Sequence, residues 1–232
     1  MNYLIKKVIN AVKKVIPKSF FDALWAGYQH WQLQRKNEHV WGCNMKKVKE
    51  LLSHNEPIRL ELGAGNRKCP GWTTVDNNGM CDITMTLIDK LPFPDGSIEE
   101  IYASHVLEHF HHPELMFILS ECRRALKSGG QIRIVVPDAA LYIRDYIAKD
   151  YSHLSHYIND EDGYFVHSPI DLVNLVAYDR FSTHEHGYMF DSDGILKVLS
   201  LAGFQRAQIR SFDPSIDLEE RRNNSLYAIA YK

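Results

Sequence analysis

The stretch Leu60-Glu61-Leu62-Gly63-Ala64-Gly65 decides the fold, because an apolar strand runs here straight into a glycine turn. Gly63 and Gly65 allow positive φ and let the backbone approach a ligand without an intervening Cβ. A second short strand, Trp72-Thr73-Thr74-Val75, follows and ends in Asp76. A glycine turn after one strand and an acid at the end of the next predict a nucleoside-binding site, in which the carboxylate accepts both ribose hydroxyls.

The residues around the turn argue against a nicotinamide dinucleotide. The fingerprint for that cofactor is G-x-G-x-x-G, and its third glycine is missing from Gly63-Ala64-Gly65-Asn66-Arg67-Lys68. Glu61, inside the motif, instead suits a cationic ammonium group, bound directly or through water. The sequence therefore favours a nucleoside cofactor that carries such a group.

Several segments in the same order and at the same spacing resemble class I S-adenosylmethionine (SAM) dependent methyltransferases. Each segment is weak alone, and their combination is specific. The similar segments are Glu61–Gly65, Leu91–Ser97, Ile101–His109, Arg124–Gly130 (with Ser128 where proline is usual), Ile132–Asp138 and Leu201–Phe204. The resemblance is strongest to the small-molecule branch, which includes methyltransferases found with polysaccharide and O-antigen biosynthesis.

This resemblance implies an α/β, Rossmann-like fold, with a central, mostly parallel sheet and helices on both faces. The residues before this domain predict an N-terminal helical extension. Residues 57–150 alternate strand and helix patterns, as such a sheet requires. Two further strands are expected at 205–211 and 225–231, as an antiparallel pair at the end of the sheet.

Two local features refine the expected fold. The crossover residues 66–71 are too few for a regular helix and predict a loop or one turn, on which the role of Asp76 depends. A helix is expected over 191–203, with Asp191 or Ser192 as its N-cap.

The chain divides into three expected parts. Residues 1–18 form a basic amphipathic helix, residues 19–56 a helical segment, and residues 57–232 the SAM-binding domain. Within that domain, residues 151–190 depart from the alternating pattern and are rich in tyrosine and histidine, which indicates an inserted lid or substrate subdomain. Core packing is expected for most aromatic side chains of the helical segment.

The N-terminal helix places its apolar side chains on one face and lysines on the other. Such a helix fits the surface of an anionic membrane, and it fits equally the core or a second subunit. Its apolar run is too short to span a bilayer, and it lacks the cleavage site of a signal peptide.

Composition restricts the partners and the compartment. The net charge of −2 provides no field that would favour nucleic acid. Nor does a base-flipping motif of the "NPPY" type follow the fourth strand. The four cysteines are scattered without a C-x-x-C pair, which is typical of a reduced, cytoplasmic protein.

The resemblance assigns the cofactor residues. The methionine part of SAM would face the glycine turn, Asp76 would bind the ribose, and Asp82, with Asp89 as the alternative, would accept the adenine amino group. A solvated loop acid or a helix cap is the other interpretation of both aspartates. The full set of expected SAM residues is Glu61, Gly63, Ala64, Gly65, Asp76, Asp82, Ser104 and His105.

The catalytic candidates follow the fourth strand and precede the late helix. An oxygen acceptor must lose a proton, and histidine titrates in the range needed to take it. His105 and His109 are candidate bases, with Glu108 as the group that orients one of them; a structural role is the alternative for both histidines. His184 or His186 is a second candidate base, with Tyr188 in the acceptor pocket, against a satisfied polar turn. No metal site is expected, because the local histidine spacing lacks a defined third ligand.

The sequence thus predicts a cytoplasmic SAM-dependent methyltransferase, attached peripherally to the inner membrane, that acts on a hydroxyl of a glycan or glycolipid precursor. One alternative acceptor is a quinone or another lipid, which a greasy pocket built from the aromatic residues of 20–41 would favour. A second alternative is a SAM-binding interaction protein without transferase activity. The oligomeric state is not determined by the sequence.

Overall fold

The computed structural model describes residues 18–54, 56–150, 168, 170–178 and 185–232. The chain divides into two compact units, residues 1–46 and 47–232. Nearly all of the expected N-terminal amphipathic helix lies outside the described residues, as do most of the expected lid and His184.

Helix α1 (Lys18–Ser53) is the first described element and is 36 residues long. Tyr28, Trp31 and Trp41 are each about half exposed on it, so the expected core packing is wrong for these three side chains. The rings of Tyr28 and Trp31 stack at 6.1 Å, and the Arg35 guanidinium lies 5.2 Å from the Trp31 ring. No described helix is long and apolar enough to cross a membrane.

The second unit is built on a seven-stranded sheet in the order β3-β2-β1-β4-β5-β7-β6. All neighbouring strands are parallel except β7, which is antiparallel to both β5 and β6. The expected mostly parallel sheet with an antiparallel pair at its end is therefore confirmed. The strands are β1 (Arg59–Leu62), β2 (Thr73–Asp76), β3 (Ile83–Thr84), β4 (Ile98–Ser104), β5 (Leu126–Pro137), β6 (Gln205–Ile209) and β7 (Ser225–Tyr231).

Four helices and two short 3-10 turns complete the described part of this unit. Asp191 is the N-cap of α5 and accepts a hydrogen bond from Gly194 N at 2.7 Å, which confirms the expected capped helix. The elements are α2 (His112–Ala125), α3 (Ala139–Ala148), α4 (Ile170–Tyr178), α5 (Ser192–Leu201) and the 3-10 turns Leu107–His109 and Glu219–Arg221. Within the expected lid, α4 packs on α3 through Leu175 and Val176.

The crossover from β1 to β2 contains no helix, as its length predicted. The two strands pair directly, with Leu60 beside Thr73. The glycine turn closes onto the end of β2, because Gly63 N donates to Val75 O at 2.8 Å. Within the loop, Arg67 N donates a hydrogen bond to the carbonyl of Ala64.

Buried side chains alternate between the two faces of the sheet. Ile101 and Ala103 lie in a large cluster with Leu119 of α2 and Leu199 of α5, whereas Tyr102 belongs to a separate cluster. That second cluster comprises Tyr102, Val135, Ile216 and Tyr227, with Trp72 and Phe212 packed against it. The connection between β6 and β7 therefore covers this part of the second face.

Strand β5 begins earlier than the sequence predicted. The expected turn at Arg124–Gly130 lies partly inside the strand, because Leu126 already pairs with Ile98. Four residues, 127–130, then bulge out before Gln131 resumes the pairing opposite Glu100. The bulge is held by Lys232, whose backbone N–H donates to Gly130 O at 2.9 Å.

Arg124 ties the end of α2 to the loop before β4. Its guanidinium donates to the carbonyls of Leu91 (3.0 Å) and Phe93 (2.9 Å) and to the carboxylates of Glu121 (2.8 Å) and Asp95 (2.7 Å). Only a planar group with several fixed donors can satisfy these acceptors together.

Arg124→Lys is expected to lower the free energy of unfolding by about 2 kcal/mol. One ammonium group cannot replace the several donors of the guanidinium and leaves partly buried carbonyls unsatisfied. Chemical denaturation checks this value. The matched control is Lys127→Gln, which removes an exposed ion pair with Glu99 and is expected to cost less than about 1 kcal/mol. Equal losses of unfolding free energy in the two variants would show that Arg124 does not hold α2 to the loop before β4.

The two glycines of the turn are expected to differ in their tolerance of alanine. At Gly63 (φ 61°) a Cβ would lie 2.3 Å from Val106 Cγ2, whereas at Gly65 (φ 57°) it would meet open space. We expect Gly63→Ala to destabilise the fold by about 3 kcal/mol, from backbone strain plus overlap, and Gly65→Ala by about 1 kcal/mol, from strain alone.

Thermal or denaturant unfolding of both variants measures this difference. The Gly63→Ala/Val106→Ala double variant should lose less than the sum of the two single losses, since the overlap is gone. Strict additivity would contradict the close contact.

Candidate functional site

The polar groups of interest gather at one edge of the sheet, where β1, β2, β4 and β5 end. The carboxyl ends of parallel strands meet at the same edge, and ligands of open α/β sheets bind beyond it. The glycine turn 63–65, Asp76 and Ser104 with His105 all follow such ends. The structure thus places these residues at one edge, as the sequence predicted.

The glycine turn and the end of β2 form one hydrogen-bonded unit. Gly65 N donates to Asp76 Oδ2 at 2.8 Å, and Asn78 N donates to Asp76 Oδ1 at 3.1 Å. The side-chain amide of Asn78 in turn donates to Gly65 O at 2.7 Å. Asp76 is half-buried at the edge of the sheet, with its carboxylate oriented by the turn.

Glu61 lies in β1 just before the turn and is paired with Arg67, which was not predicted as a site residue. It is 4% exposed, and Arg67 Nη1 donates to its Oε1 at 2.9 Å. Burial raises the pKa of Glu61, and the Arg67 charge opposes that rise. Arg67 also donates to Ile216 O at 2.7 Å and lies over the Tyr102 ring at 5.6 Å. A carboxylate and a guanidinium are therefore held side by side at the exit of β1.

A second arginine reaches the site from the connection between β6 and β7. Arg221 Nη1 donates to Ser104 Oγ at 2.6 Å and to Ser104 O at 2.7 Å. The backbone carbonyl of Arg221 accepts a hydrogen bond from the Tyr227 hydroxyl at 2.7 Å. The 3-10 turn Glu219–Arg221 is thereby held against the end of β4.

His105 leaves β4 in a left-handed conformation with φ 55°, which is unusual for a residue with a Cβ and marks functional strain in many sites. Its Nε2 lies 2.8 Å from Ser225 Oγ, and its Nδ1 lies 3.7 Å from Glu108 Oε1. Because the Ser225 hydroxyl donates to Asn224 Oδ1 at 2.9 Å, Nε2 is the protonated nitrogen and Nδ1 keeps its lone pair. Burial and then the charge of Arg221 hold the pKa of His105 well below its usual value, so the ring is neutral.

The turn after His105 brings three more titratable side chains together. Glu108 is 2% exposed, and its backbone carbonyl accepts hydrogen bonds from Gly187 N (2.7 Å) and Tyr188 N (3.0 Å). His186 thereby lies beside His109, with ring centroids 5.1 Å apart. One potential ligand atom from each of Glu108, His109 and His186 lies within 4.8 Å of the other two.

Asp82 does not lie at this edge, so the position predicted for it at a carboxyl end of the strands is wrong. It precedes β3 instead of following it, so it belongs to the amino ends of the strands. Its carboxylate accepts hydrogen bonds from Thr74 N (2.9 Å) and Thr74 Oγ1 (2.8 Å). The residues that leave β3 at the carboxyl edge are Met85 and Thr86, and Asp89 follows them in an exposed turn.

A cavity of about 250 Å³ opens at the same amino edge, next to Asp82. Its lining includes Lys47, His54, Arg59 and Trp72. Because cofactors of open α/β sheets bind at the opposite edge, this cavity is separate from the candidate site.

Sequence reasoning missed Arg67, Arg221 and Ser225 as parts of the site. Arg67 stood inside a stretch interpreted only as a loop, and Arg221 lies in the mixed charge run Glu219-Glu220-Arg221-Arg222, which normally indicates a solvated surface. No spacing rule connects either arginine to the glycine turn.

Comparison with known proteins finds a domain match over the part of the chain that builds the candidate site. A family model described as a methyltransferase domain matches residues 60–134, which begin in β1 and end in β5. No curated protein gives a significant match to the chain.

Solved structures of SAM-dependent methyltransferases resemble the chain at low identity. One from Archaeoglobus fulgidus is 15% identical, with 81% of this chain and 92% of the other covered and a TM-score of 0.48. One from Methanosarcina mazei is 16% identical, with coverage of 80% and 96% and a TM-score of 0.48. One from Mesorhizobium loti is 14% identical, with coverage of 75% and 90% and a TM-score of 0.45.

Because these identities and TM-scores are low, the assignment rests on the matched domain and on the sheet itself. The domain match covers the glycine turn, the end of β2 and the exit of β4, the three places where the candidate site is built. Residues 60–134 therefore match a methyltransferase domain and lie on a mostly parallel, Rossmann-like sheet, and this match supports a methyl-transferring enzyme that uses SAM.

Proposed function

We propose that this enzyme transfers the methyl group of SAM to a hydroxyl of a glycan or glycolipid precursor at the cytoplasmic surface of the inner membrane. The observation that carries the proposal is the polar exit of β4, where His105 keeps an unprotonated Nδ1 beside the buried Glu108 carboxylate. The surrounding groups support a place for the cofactor and a polar acceptor.

The charges at the exit of β1 suit the amino-acid end of SAM. That end carries one ammonium and one carboxylate, and Glu61 and Arg67 offer the complementary pair at 2.9 Å from each other. Arg221, fixed on Ser104, adds a second cation nearby. In this placement Asp76 accepts the ribose hydroxyls, while the backbone of Gly63, Ala64 and Gly65 faces the cofactor.

We propose that neither Asp82 nor Asp89 binds the adenine ring of SAM. Asp82 lies at the opposite edge and Asp89 in an exposed turn, so the base would pack near Met85 and Thr86 instead. A hydrophobic and hydroxyl-lined pocket can hold an adenine ring without a carboxylate.

His105 is proposed as the group that takes the acceptor's proton. The acceptor oxygen attacks the methyl carbon, the new O–CH3 bond forms as the S–CH3 bond breaks, and the sulfonium becomes a neutral thioether. The hydroxyl proton passes to His105 Nδ1, where the Glu108 carboxylate at 3.7 Å would stabilise the imidazolium. Alignment of the two substrates supplies much of the remaining catalysis, because the sulfonium is already a good leaving group. His109 and His184 are the alternative bases; His184 lies outside the described residues.

The character of the site favours a sugar over a quinone. Tyr28, Trp31 and Trp41 are about half exposed, so these side chains do not form the enclosed apolar pocket that a lipid ring would need. The groups at the exit of β4 are serine, histidine, glutamate and arginine, which can hydrogen-bond to sugar hydroxyls.

Membrane attachment is proposed through residues 1–18, of which residues 1–17 lie outside the described residues. The exposed Tyr28 and Trp31 of α1, stacked at 6.1 Å, have side chains that suit a membrane interface. A SAM-binding protein without transferase activity is the second candidate, and the mixed Glu61–Arg67 site alone would serve it equally well.

Asp76→Ala is expected to weaken binding of S-adenosylhomocysteine by at least about 30-fold, because a charged acceptor of two hydroxyl groups is lost. Calorimetric titration measures the affinity, and the fold is checked by thermal unfolding. Asp82→Ala is the matched control, since it removes an aspartate from the opposite edge of the sheet and should leave the affinity unchanged. Normal binding by a folded Asp76→Ala variant would refute the ribose assignment.

Labelled SAM, presented with vesicles of anionic lipid that carry bacterial glycolipids, is expected to label the glycolipid fraction and not added quinone. Deleting residues 1–18 should lower labelling of vesicle-bound acceptor at least about fivefold, while labelling of a water-soluble sugar acceptor stays within twofold, because only surface attachment is lost. Tight binding of S-adenosylhomocysteine with no labelled product from any extract would favour the non-catalytic alternative.

A further inference from the structure

We propose that Glu108, His109 and His186 form a binding site for one divalent transition-metal ion, with Zn²⁺ as the ion that suits it best. Their potential ligand atoms lie within 4.8 Å of one another. Two imidazoles and one carboxylate are the protein ligands of a common class of catalytic zinc site, which keeps a further position open for water or substrate. The expectation of no metal site considered only the local histidine spacing; the third ligand comes from a distant segment.

Backbone hydrogen bonds hold the two contributing segments together. Glu108 and His109 lie in the 3-10 turn after β4, and His186 lies in the segment that leads to α5. Gly187 N and Tyr188 N both donate to the backbone carbonyl of Glu108, at 2.7 and 3.0 Å. Gly187 permits this approach, since a Cβ there would lie 2.8 Å from the carbonyl carbon of Phe110. The juxtaposition therefore depends on the main chain and not on flexible side chains.

Both histidines have their Nδ1 atoms directed at main-chain carbonyls. His186 Nδ1 lies 2.7 Å from Val176 O, and His109 Nδ1 lies 3.3 Å from Glu185 O. A carbonyl can only accept, so Nδ1 carries the proton in each ring and the lone pair is on Nε2. This orientation of imidazoles by an outer carbonyl is typical of histidines that bind metals.

Charge and distance fit a divalent ion. The Glu108 carboxylate is buried, and its Oε1 lies 3.7 Å from Nδ1 of His105. A divalent ion on one carboxylate and two neutral imidazoles would leave a net charge of one. Ligand atoms around a tetrahedral Zn²⁺ are about 3.4 Å apart, so the three groups would have to draw together by up to about 1.4 Å.

The ion would lie where the proposed function needs an acceptor. This role rests on that proposed function, whereas the metal binding itself does not. An acceptor hydroxyl on the open position would lose its proton more readily, because the ion stabilises the alkoxide. His105, outside the ligand set, remains beside Glu108.

The test is metal binding by the purified full-length protein, without cofactor or acceptor. After treatment with a chelator, the protein is titrated with Zn²⁺ by calorimetry and with Co²⁺ by visible absorption, which reports the coordination geometry. We expect one Zn²⁺ per chain with micromolar or tighter affinity, and a tetrahedral-type Co²⁺ spectrum that Zn²⁺ removes. His109→Gln and His186→Gln should each weaken binding at least about 100-fold, beyond the loss caused by removing outer partners.

His112→Gln is the matched control, because this exposed histidine lies three residues beyond His109 and outside the ligand group. It should bind Zn²⁺ like the unmodified chain. Thermal unfolding in the presence and absence of Zn²⁺ gives a second readout: stabilisation by the ion should persist in His112→Gln and vanish in His186→Gln. Absence of saturable binding, or equal binding by His186→Gln, would overturn the proposal. Because neither readout involves methyl transfer, failure of the proposed function would leave the result intact.

Discussion

The hydrogen bonds between the glycine turn and the end of β2 hold the candidate site together. Gly63 N reaches Val75 O, and Gly65 N reaches the Asp76 carboxylate. In a longer crossover a helix would brace the turn, but here only a short loop joins the strands. The tight contact of Gly63 with Val106 extends this support to the exit of β4. The glycine turn, the end of β2 and the exit of β4 are thus parts of one packed unit.

Opposite charges are arranged along that unit instead of being clustered by sign. Glu61 is buried with Arg67, and Arg221 is fixed on Ser104 next to the neutral His105. Burial alone would tend to neutralise Glu61, and the arginine beside it opposes this effect. The result is a polar lining that offers groups of both charges.

The connection between β6 and β7 links the second face of the sheet to the site. Ile216 completes the cluster around Tyr102, and its carbonyl accepts from Arg67. Five residues later, Arg221 reaches the end of β4. Because the same connection packs in the core and supplies a residue of the candidate site, changes in its packing are expected to affect the candidate site as well.

The sequence by itself determined the mostly parallel character of the sheet, the helix-free crossover, the capped helix α5 and the glycine turn before Asp76, because side-chain alternation, glycine φ and capping are local properties. Only the tertiary structure decided that Asp82 lies at the wrong edge, that Arg67 and Arg221 enter the site, and that His186 joins His109. These placements depend on where β3 begins and on contacts between segments far apart in the chain, which no local pattern encodes.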